Sequence, residues 1–308
     1  MAVKKVAILV STYNGERYLL EQLESLFHQE QVEISIFLRD DCSSDTTVCI
    51  LERYREYVFL VENNNINLGV GNSFMEVLYE AEDKFDYYAF CDQDDIWQPE
   101  KLKKAIEMLS NIDGPALYCS NQTLVNQDLE FIGVRTKKPI DVSYKQILTN
   151  NKLTGCTMVW NNELQKFLIE PRRRPAPELL KIRIHDVWVG MVASVVGNIV
   201  YDTNSYILYR QHENNVVGVR NSKIGTLVSW YKKITDKSKR TGRSFLAKEI
   251  SGKFGDIVDS EILLELELLG SYRDNFKNKI RLLNNKSLFS LSKESKLAIK
   301  LKILFNLI

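Results

Sequence analysis

Three carboxylates fall within four positions at Asp92, Asp94 and Asp95, directly after the apolar run from Tyr87 to Cys91. Carboxylates two apart at a strand end can turn toward one point. Hard oxygen ligands of this kind, completed by water and phosphate oxygens, suit Mg²⁺ or Mn²⁺. The bland alternative is an N-cap cluster for the helix at Pro99, a role that fits Asp95. A second acidic pair, Asp40 and Asp41, stands just before Ser44 and Asp45. A carboxylate there could accept the N3–H of a pyrimidine base, or the stretch could only cap a helix. Ser11 and Tyr13 leave the first apolar run where a base or ribose could lie, with the Tyr13 ring free to stack. Asn67, Gly69 and Asn72 open a further helix in a stretch resembling a phosphate cradle. It lacks the dinucleotide glycine fingerprint, which leaves a dehydrogenase poorly supported. Gly69 suits a tight turn there. His212 could supply a neutral imidazole to a metal, or be only structural.

These residues need a frame that brings them to one rim. From residue 5 to 120, β-branched apolar runs alternate with segments of helical spacing, such as Leu19, Leu20, Leu23 and Leu26. That alternation predicts an α/β fold with a mostly parallel central sheet flanked by helices. Ligands on such sheets bind beyond the carboxyl ends of the strands. The polar clusters at 11–14, 40–41, 63–65 and 92–95 all stand at such ends. From 121 to 220 the pattern is less regular, with strands expected at 154–160 and in two runs after Asn198, and an apolar helix at 185–197. Trp160 and Trp188 could stack on a ligand or pack in the core. Thr154 and Gly155 could line the second half of the cleft. After residue 220 helical spacing returns.

The chain of 308 residues has a net charge of +1, which makes no case for nucleic acid. The charge is uneven: residues 221–308 carry 18 Lys and Arg against 9 Asp and Glu, a basic balance that suggests an anionic surface as partner. Within the last residues, Leu297, Ile299, Leu301, Ile303, Leu304 and Leu307 stand among lysines, as expected of an amphipathic helix lying on a membrane, or docked on its own core or a second subunit. Five scattered cysteines without a C-x-x-C pair point to reduced thiols in a cytosolic protein. No run is long and apolar enough to span a bilayer.

Taken in order, STYNGERYL, DDCSSDTT, NLGVGNSF, FCDQDDIWQPEKL, LTGCTMVWN, HDVWV and YRQHENN resemble glycosyltransferase family 2, in its bacterial rhamnosyltransferase-like branch. The resemblance covers roughly residues 4–220. It implies an A-type nucleotide-diphospho-sugar transferase fold, a divalent metal and inversion at the sugar carbon. It implies further that Ser11, Tyr13 and Asp41 hold the nucleoside, that Asp94 binds the metal with Asp92 nearer the ribose, and that Asp186 is the general base. His185 stands where many members have an acid, and its role is open. Read this way, residues 1–120 form the nucleotide half of a catalytic domain, 121–220 the acceptor half, and 221–308 a helical extension. The expected reaction moves L-rhamnose from dTDP-L-rhamnose to a lipid-linked glycan at the inner face of the cell membrane. A UDP-hexose or UDP-N-acetylhexosamine transferase, or a non-catalytic nucleotide-sugar-binding protein, is the alternative.

Overall fold

A computed structural model describes residues 3–212 and 242–308. The central strand β1 (Lys4–Thr12) is fully buried from Val6 to Val10, because helices cover both faces of the sheet. After α1 (Leu19–Phe27), β2 (Val32–Asp40) lies parallel on one side of β1. Then α2 (Thr47–Arg53) leads to β3 (Val58–Leu60), parallel to β2, and α3 (Val70–Glu80) to β4 (Tyr87–Cys91), parallel to β1 on its other side. The carboxyl ends of β1, β2 and β4 therefore share one edge, as the alternation predicts.

Beyond β4 the sheet becomes mixed. A short β5 (Ile96–Trp97) and α4 (Lys101–Leu109) precede the long β6 (Ala116–Val125), which carries the hairpin strand β7 (Phe131–Val134). Next come α5 (Tyr144–Asn150) and β8 (Val159–Asn161), which runs antiparallel between β4 and β6. The expected strand at 154–160 is shorter, because Gly155–Thr157 form a 3₁₀ turn that aims at the site. After α6 (Asn162–Ile169), α7 (Pro177–Leu180) and α8 (His185–Val196), one strand, β9 (Asn198–Arg210), replaces the two expected runs. It pairs parallel to β6 and antiparallel to β5, which returns its end to the acidic loop.

Among the described residues four further helices follow: α9 (Gly242–Phe254), α10 (Ser260–Ser271), α11 (Phe276–Asn284) and α12 (Lys296–Leu304). Leu246, Ile250, Phe254, Leu266, Ile299 and Ile303 belong to the same core as Trp188 and Met191 of α8. Arg173 fastens this packing with a two-pronged contact to Asp256 at 2.8 and 2.9 Å. The helical stretch expected at 227–234 and the end of YRQHENN, residues 213–215, lie outside the described residues. No described helix is long and apolar enough to cross a membrane.

Candidate active site

The acidic loop is built by β4 and riveted from two directions. Gln93, between the two carboxylates, binds the loop after β1: its Oε1 accepts from Thr12 Oγ1 at 2.6 Å and Tyr13 N at 2.8 Å, and its Nε2 donates to Tyr13 O. Gly15 lies so close that a Cβ there would stand 2.4 Å from Gln93 Oε1. From the other side comes Arg210, the last residue of β9 and almost wholly buried. It donates to Asp94 O, Gln127 O and Glu21, and its guanidinium lies 4.4 Å from the Tyr18 ring centre. Neither Gln93 nor Arg210 announces itself in the sequence. The role of Gln93 depends on the pairing of β1 with β4, and that of Arg210 on the pairing of β9 with β5.

His212 follows directly, and its Nε2 sits 2.7 Å from Asp94 Oδ2. A carboxylate and an imidazole 118 residues apart thus meet at the rim. Asp92 lies beside them. Burial, then repulsion from Asp94 and Asp186, pushes its pKa up to about 7. Oxygen and imidazole donors in this arrangement fit a divalent ion of the Mg²⁺ or Mn²⁺ class. A second grouping brings donor atoms of Asp92, Asp95 and Cys156 within 4.8 Å of one another. It suits such an ion less well, because burial raises the Cys156 thiol well above its ordinary pKa and keeps it protonated.

Asp95 is not the helix cap expected from the sequence. Glu100 occupies that position without a side-chain bond, while Asp95 is fully buried and accepts from Arg210 N at 3.1 Å. Behind it lies Lys101, also fully buried, with Nζ 3.4 Å from the centre of the Trp97 ring. Desolvation pulls the Lys101 pKa down to about 8.

The nucleoside side of the rim is preorganised. Asn14 accepts from Ser44 N and its own N–H donates to Ser43 Oγ, while Gly15 N donates to Thr47 Oγ1. The Asp41 carboxylate is already engaged, by Arg39 and by the N–H groups of Leu68 and Gly69 at 2.8 Å. Asp41 therefore holds the 67–69 loop in place, helped by Asn67 Nδ2 on its carbonyl. Gly69 has φ +77°, which favours glycine. Ser11 Oγ donates to Ser73 Oγ at 2.7 Å in the same network. Tyr13 is half exposed and free to meet a ligand.

Across the cleft, α8 presents Asp186 in its first turn, with Oδ1 2.6 Å from Val187 N. Burial raises its pKa to about 7. His185 anchors this end of the helix, stacked 4.0 Å from Phe74 and edge-on 4.7 Å from Phe90. Neither ring nitrogen has a partner among the described residues, and desolvation lowers its pKa to about 3, so the ring stays neutral. A Cβ on Gly155 would stand 2.7 Å from His185 Nε2, so this glycine admits the ring. Thr154 flanks the same turn. Trp188 corrects the expectation of an acceptor-stacking ring. It is fully buried and packs 6.0 Å from Phe254, because its turn of α8 faces the core.

The chain is 31% identical over 245 residues to "dTDP-rhamnosyl transferase RfbG" of Shigella flexneri, covering 73% of this chain and 81% of that protein. It is 28% identical over 159 residues to the "Putative teichuronic acid biosynthesis glycosyltransferase TuaG" of Bacillus subtilis, covering 50% and 60% of the two chains. Among solved structures, S. aureus TarS 1–349 in complex with UDP-GlcNAc aligns with a TM-score of 0.57 at 18% identity, over 94% of this chain and 84% of that one. This likeness shows the A-type nucleotide-diphospho-sugar transferase fold. The family model "Glycosyl transferase family 2" matches residues 7–161, the span that carries β1 to β8 and the acidic loop, and with it the chain belongs to glycosyltransferase family 2.

Proposed function

We propose that this glycosyltransferase is metal-dependent and inverting, and that it moves L-rhamnose from dTDP-L-rhamnose to a lipid-linked cell-surface glycan. The observation that carries the mechanism is the meeting of Asp94 with His212 on one wall and the buried Asp186 on another. Asp94, His212 and Asp92 would hold the divalent ion, which supplies neutralising charge to the leaving diphosphate. The chain's own residues do the rest. Gln93 and Arg210 fix the acidic loop so that its carboxylates do not reorganise during the reaction. Tyr13 and the loop held by Asp41 form the walls for base and ribose. Asp186 accepts the proton of the acceptor hydroxyl, and a pKa near 7 suits a base working near neutral pH. Thr154 and Gly155 flank the acceptor.

The donor assignment is supported by likeness to the Shigella protein. Hydrolysis assays with dTDP-rhamnose, UDP-glucose and UDP-N-acetylglucosamine test it. Turnover of UDP-sugars alone would replace rhamnose by a hexose or N-acetylhexosamine.

The proposed workplace is the inner face of the cell membrane. Support comes from the outer side of α11 and α12, where Phe276, Ile280, Leu297, Leu301 and Phe305 are exposed beside Lys296 and Lys300. Apolar side chains among lysines suit an anionic bilayer surface. Ile299 and Ile303 of the same helix face the core, so α12 serves its own fold as well. A second subunit on this face is the competing occupant. Sedimentation of the pure protein without lipid distinguishes the two.

A further inference from the structure

The mechanism leaves one grouping of donor atoms unused. One atom each from Asp92, Asp95 and Cys156 lies within 4.8 Å of the other two. The carboxylates come from the turn after β4, and the thiol from the 3₁₀ turn before β8. Asp95 and Cys156 are fully buried, while Asp92 is half-buried and opens the grouping to the rim.

Each buried member is held from behind. Gln122, itself buried, donates from Nε2 to Cys156 Sγ at 3.1 Å. Arg210 N donates to Asp95 Oδ1 at 3.1 Å. Outer partners of this kind orient ligands toward a metal. Asp95 Oδ2 has no hydrogen-bond partner among the described residues, although its side chain is 0% exposed. A buried carboxylate oxygen in that position is costly unless something completes it. The thiol decides what can. Sulfur is a soft donor, favoured by Zn²⁺ and Cd²⁺ and passed over by Mg²⁺ and Mn²⁺. A soft ion deprotonates the thiol it binds, and the proton passes to water. It would hold the thiolate and two carboxylate oxygens and keep a fourth position for water. Ligands about 2.0–2.3 Å from one ion stand within about 4 Å of one another, so a shift of about 1 Å closes the site.

We propose that Asp92, Asp95 and Cys156 form a second metal site, selective for a thiophilic divalent ion of the Zn²⁺ class, and that its occupation inhibits donor binding. Asp92 belongs to both groupings. An ion held by Cys156 engages it and leaves the donor-side ion with Asp94 and His212 alone. The inhibition rests on the reading of Asp92 as a donor-side ligand; the soft site itself does not.

Spectroscopy on the full chain tests the site without sugar transfer. Cys42→Ser and Cys49→Ser first remove the two thiols that are not fully buried. Cd²⁺ then gives a thiolate-to-metal charge-transfer band that saturates at one ion per chain and that excess Mg²⁺ does not remove. Cys156→Ser abolishes the band, and Asp95→Asn weakens Cd²⁺ by about 10-fold or more. X-ray absorption at the zinc edge of the unaltered chain, loaded with one ion, shows one sulfur among oxygen neighbours and decides the matter should a variant fail to fold. Calorimetry reads the consequence: one equivalent of Zn²⁺ weakens dTDP with Mn²⁺ by about 10-fold in wild type and not in Cys156→Ser. The ordinary dTDP affinity of that variant without zinc shows that it is folded. Absence of the band, a band that survives Cys156→Ser, or zinc without a sulfur neighbour overturns the site. Zinc bound with its sulfur and without effect on dTDP overturns the inhibition. Failure of the donor-side reading appears separately, as no Mn²⁺-dependent dTDP binding by zinc-free wild type.

Discussion

Replacing Asp186 by asparagine should abolish transfer and at the same time stabilise the protein, with a pH dependence set by burial. The carboxyl is 8% exposed, and desolvation raises its pKa from 3.8 to about 7. A carboxyl whose pKa is higher in the folded than in the unfolded state is favourable below the unfolded value and loses that benefit as pH rises through the folded value. The window is therefore pH 4 to about 7. At about 1.4 kcal/mol per tenfold change, the full penalty of the ionised form is about 4 kcal/mol. Asparagine does not ionise, so Asp186→Asn should match wild type near pH 4 and exceed it by up to about 4 kcal/mol at pH 8.5. For a chain of this size that is on the order of 8 °C in Tm. Thermal unfolding in chelator, without donor, is the measurement. Turnover should fall by about 100-fold or more, as for loss of a general base. In wild type, kcat should rise with pH to a plateau above about 7. Equal Tm differences at both pH values would refute the buried-base argument, because burial is the largest cause of the raised pKa and so of the pH dependence.

Other perturbations read other parts of the site. Asp94→Ala should abolish metal-dependent donor binding in calorimetry and leave the unfolding free energy within about 1 kcal/mol of wild type, since a rim carboxylate supports no core. Gly155→Ala brings a methyl to 2.7 Å from His185 Nε2; it should lower kcat by about 10-fold or more and cost about 1–3 kcal/mol in urea unfolding. Trp188→Phe should cost about 1–3 kcal/mol while leaving the acceptor KM unchanged. A large rise in that KM would restore Trp188 to the acceptor site. Leu297→Ser with Leu301→Ser and Phe305→Ser should weaken sedimentation with anionic liposomes and spare turnover of a water-soluble acceptor. Deleting α12 is a poorer test, because Ile299 and Ile303 would leave the core with it.

The parallel half of the sheet was legible because β1, β2 and β4 are apolar runs ended by polar clusters, and the helices between them carry clear apolar faces. The mixed half was not. β8 has three residues, too few for any periodicity, and β9 spans a stretch whose alternation breaks at Asp202–Ser205. The site residues at strand ends came through for the same reason that β1, β2 and β4 did. Gln93 and Arg210 did not, since each acts through a partner far along the chain. Asp95 looked like a cap because Asp, a turn and proline make a familiar local pattern. The return of β9 beside β5 gave its carboxylate a backbone N–H instead. Trp188 could not be placed from sequence, since α8 is apolar nearly all round and no single face is marked.

Lys101 has a consequence for the enzyme between turnovers. An ammonium sealed beneath the tip of β4 and seated on an indole gives the acid-rich turn a resident counter-ion that never diffuses away. Its charge attracts Asp95 and so offsets part of the repulsion that Asp92 and Asp94 exert on that carboxyl.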